Sequence, residues 1–153
     1  MGNSEVVRKF KRAITEYKGL SYKIAFINKE IDIIKNDKGS LKEPLINLNK
    51  QLNKYIRFKN VIDMCLNNLN VTERKVIELR YLSKEKLTWK QIANMVGYSE
   101  DYCRKEIKTR AINKIIDDLN NCFIEVDKYI WFKDRIKVLI LLLYIDKNTN
   151  MTP

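Results

Sequence analysis

LTWKQIANMVGYSEDYCRK, residues 87–105, is the stretch on which the fold turns. Thr88 stands between Leu87 and Ile92 with Gln91 three places on, the spacing of a capping box inside an apolar staple. Ser99 takes the same place between Tyr98 and Cys103. Between these two helix starts, Ala93 and Gly97 are spaced four apart. Two helices that cross closely need a small residue where one passes over the other, and Ala93 supplies it. The chain must then turn within about three residues, which favours a left-handed backbone that glycine adopts without steric cost. The spacing predicts a helix over 89–96, a turn at Gly97 and a second helix over 100–120, which is a helix-turn-helix. Ile92, Val96 and Cys103 face its shared core.

Upstream, VTERKV at 71–76 follows the same grammar, with Thr72 as the expected N-cap between Val71 and Val76 and a helix over 73–82. Before that the chain carries two apolar seams. Val6, Phe10, Ala13, Tyr17, Leu20, Ile24, Ile27, Ile31 and Ile34 alternate steps of four and three. Gly19 interrupts this run at a cost of roughly 1 kcal/mol, which so long a seam outweighs. Asn36, Asp37, Gly39 and Ser40 then mark a turn, and Pro44 suits the first turn of a new helix. Leu41, Leu45, Leu48, Leu52, Tyr55, Phe58, Ile62, Cys65 and Leu69 form the second seam. Two long helices with so short a connection fold back antiparallel. The expected fold is all-α: a helical hairpin over 1–70, a helix-turn-helix domain over 71–121, and a C-terminal segment, 122–153, with an apolar helix over 126–145 and a frayed tail.

Four Gly and two Pro in 153 residues agree with long helices, and 45% hydrophobic residues suffice for a core. The formal charge is +11, which suits a polyanionic partner, nucleic acid before a membrane surface. Most of the excess lies in residues 1–70, which hold fourteen Lys+Arg against seven Asp+Glu. There Arg8, Lys9, Lys11 and Arg12 flank Phe10, either as a solvated face or as a contact to DNA phosphates. The hairpin itself serves either as a scaffold or in assembly, so a homo-oligomer is among the expectations. Cys65, Cys103 and Cys122 are far apart, and the chain has no histidine and no Cys-x-x-Cys pair. That argues against zinc and for reduced thiols in a cytosolic protein. No cofactor is implied. VLILLLYI, residues 138–145, is the most apolar run and is too short to span a bilayer, which takes about 20 residues. The opening MGNSEVVRKFKRAI lacks the apolar core of a signal peptide.

In a helix-turn-helix the second helix enters the major groove of double-stranded DNA and presents its first residues to base edges. Here Ser99 caps that helix, and Glu100, Asp101, Arg104, Lys105 and Lys108 point outward. Arg104 and Lys105 suit guanine O6 and N7, and Glu100 or Asp101 suits cytosine N4. Lys90, Lys108, Arg110 and Lys114 are better placed for phosphates, which position the helix without reading sequence.

LNVTERKVIELRYLSKEKLTWKQIANMVGYSEDYCRKEIKTRAINKI, residues 69–115, resembles region four of bacterial sigma factors. The shared pattern runs from an apolar-x-x-x-Glu-Arg start through Leu-Arg-Tyr to Thr-x-x-x-Ile-Ala, a glycine turn and an Arg-Ala-apolar-x-Lys close. With its helical amino-terminal part, the chain is similar to phage RinA- and ArpU-type late transcription regulators. The resemblance implies a DNA-binding transcription activator of phage or prophage origin, working with host RNA polymerase in the bacterial cytoplasm. It assigns promoter reading to Glu100, Asp101, Arg104 and Lys105. Two features depart from the pattern. Glu106 stands where an apolar core residue is usual and Ile107 follows one place later, a shift worth about 100° around a helix. The C-terminal apolar segment has no clear counterpart.

Alternatives are a sigma factor proper, for which an aromatic and basic DNA-melting region is lacking, and a small terminase subunit for DNA packaging, in which the DNA-binding module is expected nearer the amino terminus. An enzyme is not expected: no phosphate-binding glycine loop or nucleophile motif is present, and the paired acids Asp117 and Asp118 read as the solvated end of a helix.

Overall fold

The computed structural model describes residues 2–37, 39 and 42–126, with side chains as far as Cys122. The protein is all-α, and no strand occurs among the described residues. α1 spans Asn3–Asn36 and α2 spans Lys42–Asn67. Every seam position of α1 from Val6 to Ile34 is buried or half-buried, and Gly19 lies within the unbroken helix. At the end of α1 the Asp37 carboxylate accepts from the Gly39 N–H at 3.3 Å, a local bond that turns the chain. Leu41 and Ser40 lie outside the described residues. The rest of the second seam, Leu45 to Leu69, is half-buried or buried.

The helices run antiparallel, because partners recede along α2 as α1 advances. Tyr17 donates its hydroxyl to Asp63, whereas the Lys23 ammonium lies 5.6 Å from the Tyr55 ring. Burial and the bond to Asp63 push the Tyr17 hydroxyl up to about 12. Burial on its own would raise the Asp63 carboxyl, but the hydrogen bonds from Lys59 and Tyr17 outweigh it and hold the group below its ordinary value.

α3 spans Val71–Ile77 and begins earlier than Thr72 predicts. Its N-cap is Asn70, whose side chain accepts from the Glu73 N–H at 2.8 Å while the Glu73 carboxylate accepts from the Asn70 N–H at 3.2 Å. Asn-x-x-Glu is a capping box in its own right, and it leaves Thr72 inside the helix. Val71, 85% exposed, therefore provides no staple. A π-helical turn over Glu78–Leu82 continues α3, closed by a Ser83 N–H to Glu78 carbonyl bond of 2.8 Å.

α4 spans Trp89–Val96, with both halves of the expected Thr88–Gln91 capping box in place. α5, Glu100–Tyr102, runs through a second π-helical turn, Cys103–Ile107, into α6, Lys108–Val126. This single rod starts where predicted and continues beyond residue 120. The helix expected over 126–145 and the tail lie outside the described residues past Val126.

Two apolar clusters hold these elements. The larger joins Phe10 and Leu20 of α1, Phe58 and Ile62 of α2, Ile77 of α3 and Ile115 of α6, so hairpin and rod share one core. The smaller contains Val76, Ile92, Ala93, Cys103 and Ile107. Neighbouring residues of α3 thus face different clusters, which ties the turn region to the hairpin. Cys65, Cys103 and Cys122 are free thiols, and burial pushes Cys65 up to about 12. No helix among the described residues is long and apolar enough to cross a membrane.

Candidate nucleic-acid interface

The turn between α4 and α5 is built by three residues. Gly97 has φ 80° and ψ 26°, the left-handed conformation that spacing predicts. Its N–H reaches the Ala93 carbonyl at 2.9 Å, and the Tyr98 N–H reaches the same oxygen at 3.3 Å. These bonds satisfy a carbonyl that the helix end leaves open. Ser99 then caps the next helix, its hydroxyl oxygen accepting from the Tyr102 N–H at 3.2 Å. Ala93 shares a cluster with Cys103 and Ile107.

Burial sets the orientation of the rod. Cys103 and Ile107 are inside, whereas Glu100, Asp101, Arg104, Lys105 and Glu106 are exposed. The Lys108 N–H bonds the Cys103 carbonyl five residues back. That wider turn takes up the additional residue at Glu106 and keeps Ile107 beneath Cys103. Asp101 and Lys105 consequently lie opposite the core.

The exposed face is not a set of independent charges. Asp101 contacts Arg104 at 2.9 Å and Lys105 at 3.6 Å. The Arg104 hydrogen bond and the nearby Lys105 charge hold the Asp101 carboxyl below its ordinary value. On one flank, the Lys108 ammonium lies 5.7 Å from the Trp89 ring, and the Arg80 guanidinium lies 4.7 Å from it. Arg80 also donates to the Leu87 carbonyl at 2.7 Å. Burial, then Lys11, Arg104 and Arg80, lower the Lys108 ammonium from its ordinary value. On the opposite flank Arg110 donates to the Tyr102 hydroxyl at 3.1 Å, and Tyr102 packs on Tyr98 with ring centroids 5.4 Å apart. Lys90 is exposed in the first turn of α4.

One expected phosphate contact is otherwise engaged. Lys114 reaches both oxygens of Glu73 at 3.0 and 2.9 Å, and Glu73 is 1% exposed. The ammonium stabilises a buried carboxylate that also completes the α3 cap, so its charge is engaged within the fold. Sequence reasoning missed Arg80 and Trp89, whose pairing depends on a loop returning, and Tyr102, which stands two helical turns from Arg110 and was legible by spacing. Among the described residues no three His, Cys, Asp or Glu side chains gather as metal ligands would.

No curated protein and no solved structure matches the chain. The family DUF722, described as a protein of unknown function, matches residues 26–118. That span takes in α2, the turn at Gly97 and every exposed residue of the rod discussed above, and on this match the chain belongs to the DUF722 family.

Proposed function

We propose that the protein is a sequence-specific double-stranded-DNA-binding transcription regulator, an activator of phage late genes that works with host RNA polymerase in the bacterial cytoplasm. The observation that carries DNA binding is the exposed start of the rod at Ser99. Asp101 and Lys105 stand opposite buried Cys103 and Ile107, with Arg104 exposed beside them, on a helix that packs against α4 after the Gly97 turn. Such a helix end suits the major groove, where arginine reads guanine and a carboxylate reads cytosine. The polymerase and phage parts of the reading rest on the resemblance of residues 69–115 to region four of sigma factors.

Selection from a pool of randomised duplexes tests the proposal, and a defined motif is expected to emerge. On that motif Arg104→Ala is expected to weaken binding by about 1–3 kcal/mol and relax base choice at one position. Lys108→Ala is expected to weaken preferred and random duplex alike and to lower the salt slope by about 1. Equal behaviour of the two variants would overturn the assignment of roles, and failure to enrich any motif would overturn sequence-specific binding. Transcription from a promoter carrying the motif, with host polymerase, tests the activator role.

A further inference from the structure

We propose that the basic face of α1, formed by Arg8, Lys11 and Arg12, is a second, sequence-independent phosphate-binding site that holds the flank of the same duplex. This rests on the DNA-binding reading above, and it gives the hairpin a role beyond that of a scaffold.

The placement follows from packing. Phe10 is 0% exposed and meets Tyr81 edge-on, with ring centroids 4.9 Å apart. That contact seats α1 on the π-helical turn that carries Arg80. Lys11 follows Phe10 in the chain, and its charge acts on the Lys108 ammonium together with those of Arg80 and Arg104. Arg80 and Lys108 share the Trp89 ring, and Phe10 packs on Tyr81 next to Arg80, so Lys11 of α1 stands near cations of that turn and of the rod. Arg8, Lys11, Arg12 and Thr15 line one shallow groove along α1, as helical spacing requires of residues three and four apart. From Arg8 to Thr15 this adds about 10 Å to the cationic edge.

The charges on this edge are not internally neutralised. Carboxylates hold Lys9, Lys23, Arg74, Arg104, Lys105 and Lys114, whereas none of Arg8, Lys11, Arg12, Arg80 and Lys108 is in an ion pair among the described residues. Glu16, at the far end of the groove, is bound by Lys23 at 3.2 Å. Like charges gathered beside one acid that Lys23 already engages repel one another, and an external row of phosphates relieves that repulsion while releasing counterions. Arg80 is already oriented by the Leu87 carbonyl and the Trp89 face, so part of the site is arranged before DNA arrives.

The test is a titration of the full chain and of its Lys11→Gln/Arg12→Gln variant, with Arg104→Ala alongside. The duplexes are the selected site with long flanks, the same site trimmed to the recognised bases, and random sequence. Both altered positions are exposed, and far-ultraviolet circular dichroism checks that the helices remain. The double variant is expected to lose roughly tenfold in affinity on both long duplexes and about 2 in salt slope, and to lose little on the trimmed one. Unchanged affinity and slope on long duplex, with Arg104→Ala still weakened, would overturn the α1 site and leave the DNA-binding reading standing. Failure of the unaltered protein to bind any duplex would remove both.

Discussion

Asp101 pairs with both cations proposed to read base edges, holds their side chains and offsets part of their charge. Asp101→Asn removes the anion and keeps an acceptor. Affinity for random duplex is expected to rise severalfold, with a salt slope steeper by about 1, while discrimination between preferred and random DNA falls. Titrations of both duplexes at several salt concentrations measure this, and unchanged random affinity would show that Asp101 does not oppose phosphate. Lys114 calls for the reverse experiment. Lys114→Met strands a buried carboxylate and is expected to lower stability by about 2 kcal/mol, below the range for fully enclosed pairs because the lysine side chain is half exposed. Glu73→Gln retains the capping geometry and is expected to cost less. Urea unfolding measures both, and the salt slope of DNA binding by Lys114→Met should stay unchanged. A lowered slope would return Lys114 to the phosphate contacts.

At the scale of elements, the connection between α4 and α5 depends on one left-handed residue. A methyl group added at Gly97 would meet nothing within 4 Å, so any loss in Gly97→Ala comes from the backbone rather than from a clash. That loss is expected to be about 1–2 kcal/mol, read as a lowered thermal midpoint. No change would mean that the turn readily adopts another conformation. The turn, the Thr88 and Ser99 caps and both seams were legible because they depend on residues a few places apart in the chain. The start of α3 was equally local, yet the apolar pair Val71 and Val76 points to Thr72, whereas the cap is Asn70. The two side chains compete for the same role, and only the one whose partner Glu73 closes the box takes it. The π-helical turn at Cys103–Ile107 is a different case. Glu106 signalled an additional residue, but rotation of the rod and widening of one turn are equally open until Ile107 is seen beneath Cys103.

For the whole molecule, the decisive feature is that the hairpin has no large core independent of α6. Ile115 is fully buried among residues of α1, α2 and α6. Ile115→Ala is expected to destabilise the protein by about 3 kcal/mol and to do so in one transition. Coincident unfolding curves by fluorescence and circular dichroism check this. Separate transitions would mean that hairpin and rod unfold independently. The same packing puts Phe10 of α1 in one cluster with Ile115 of α6, which is why the basic cluster at residues 8–12 was visible in the chain while its nearness to the rod was not.

By itself the sequence determined the all-α class, the antiparallel seams, the Gly97 turn and the exposed start of the rod. Each follows from periodicity, capping or a φ preference that acts within a few residues. Only the tertiary structure decided that Lys114 serves Glu73 across 41 positions, that Arg80 and Lys108 share the Trp89 ring, and that Phe10 of α1 packs on Tyr81 next to Arg80. Charge has no sequence period and acts through space, so the partner of a lysine is settled by which helix packs beside it.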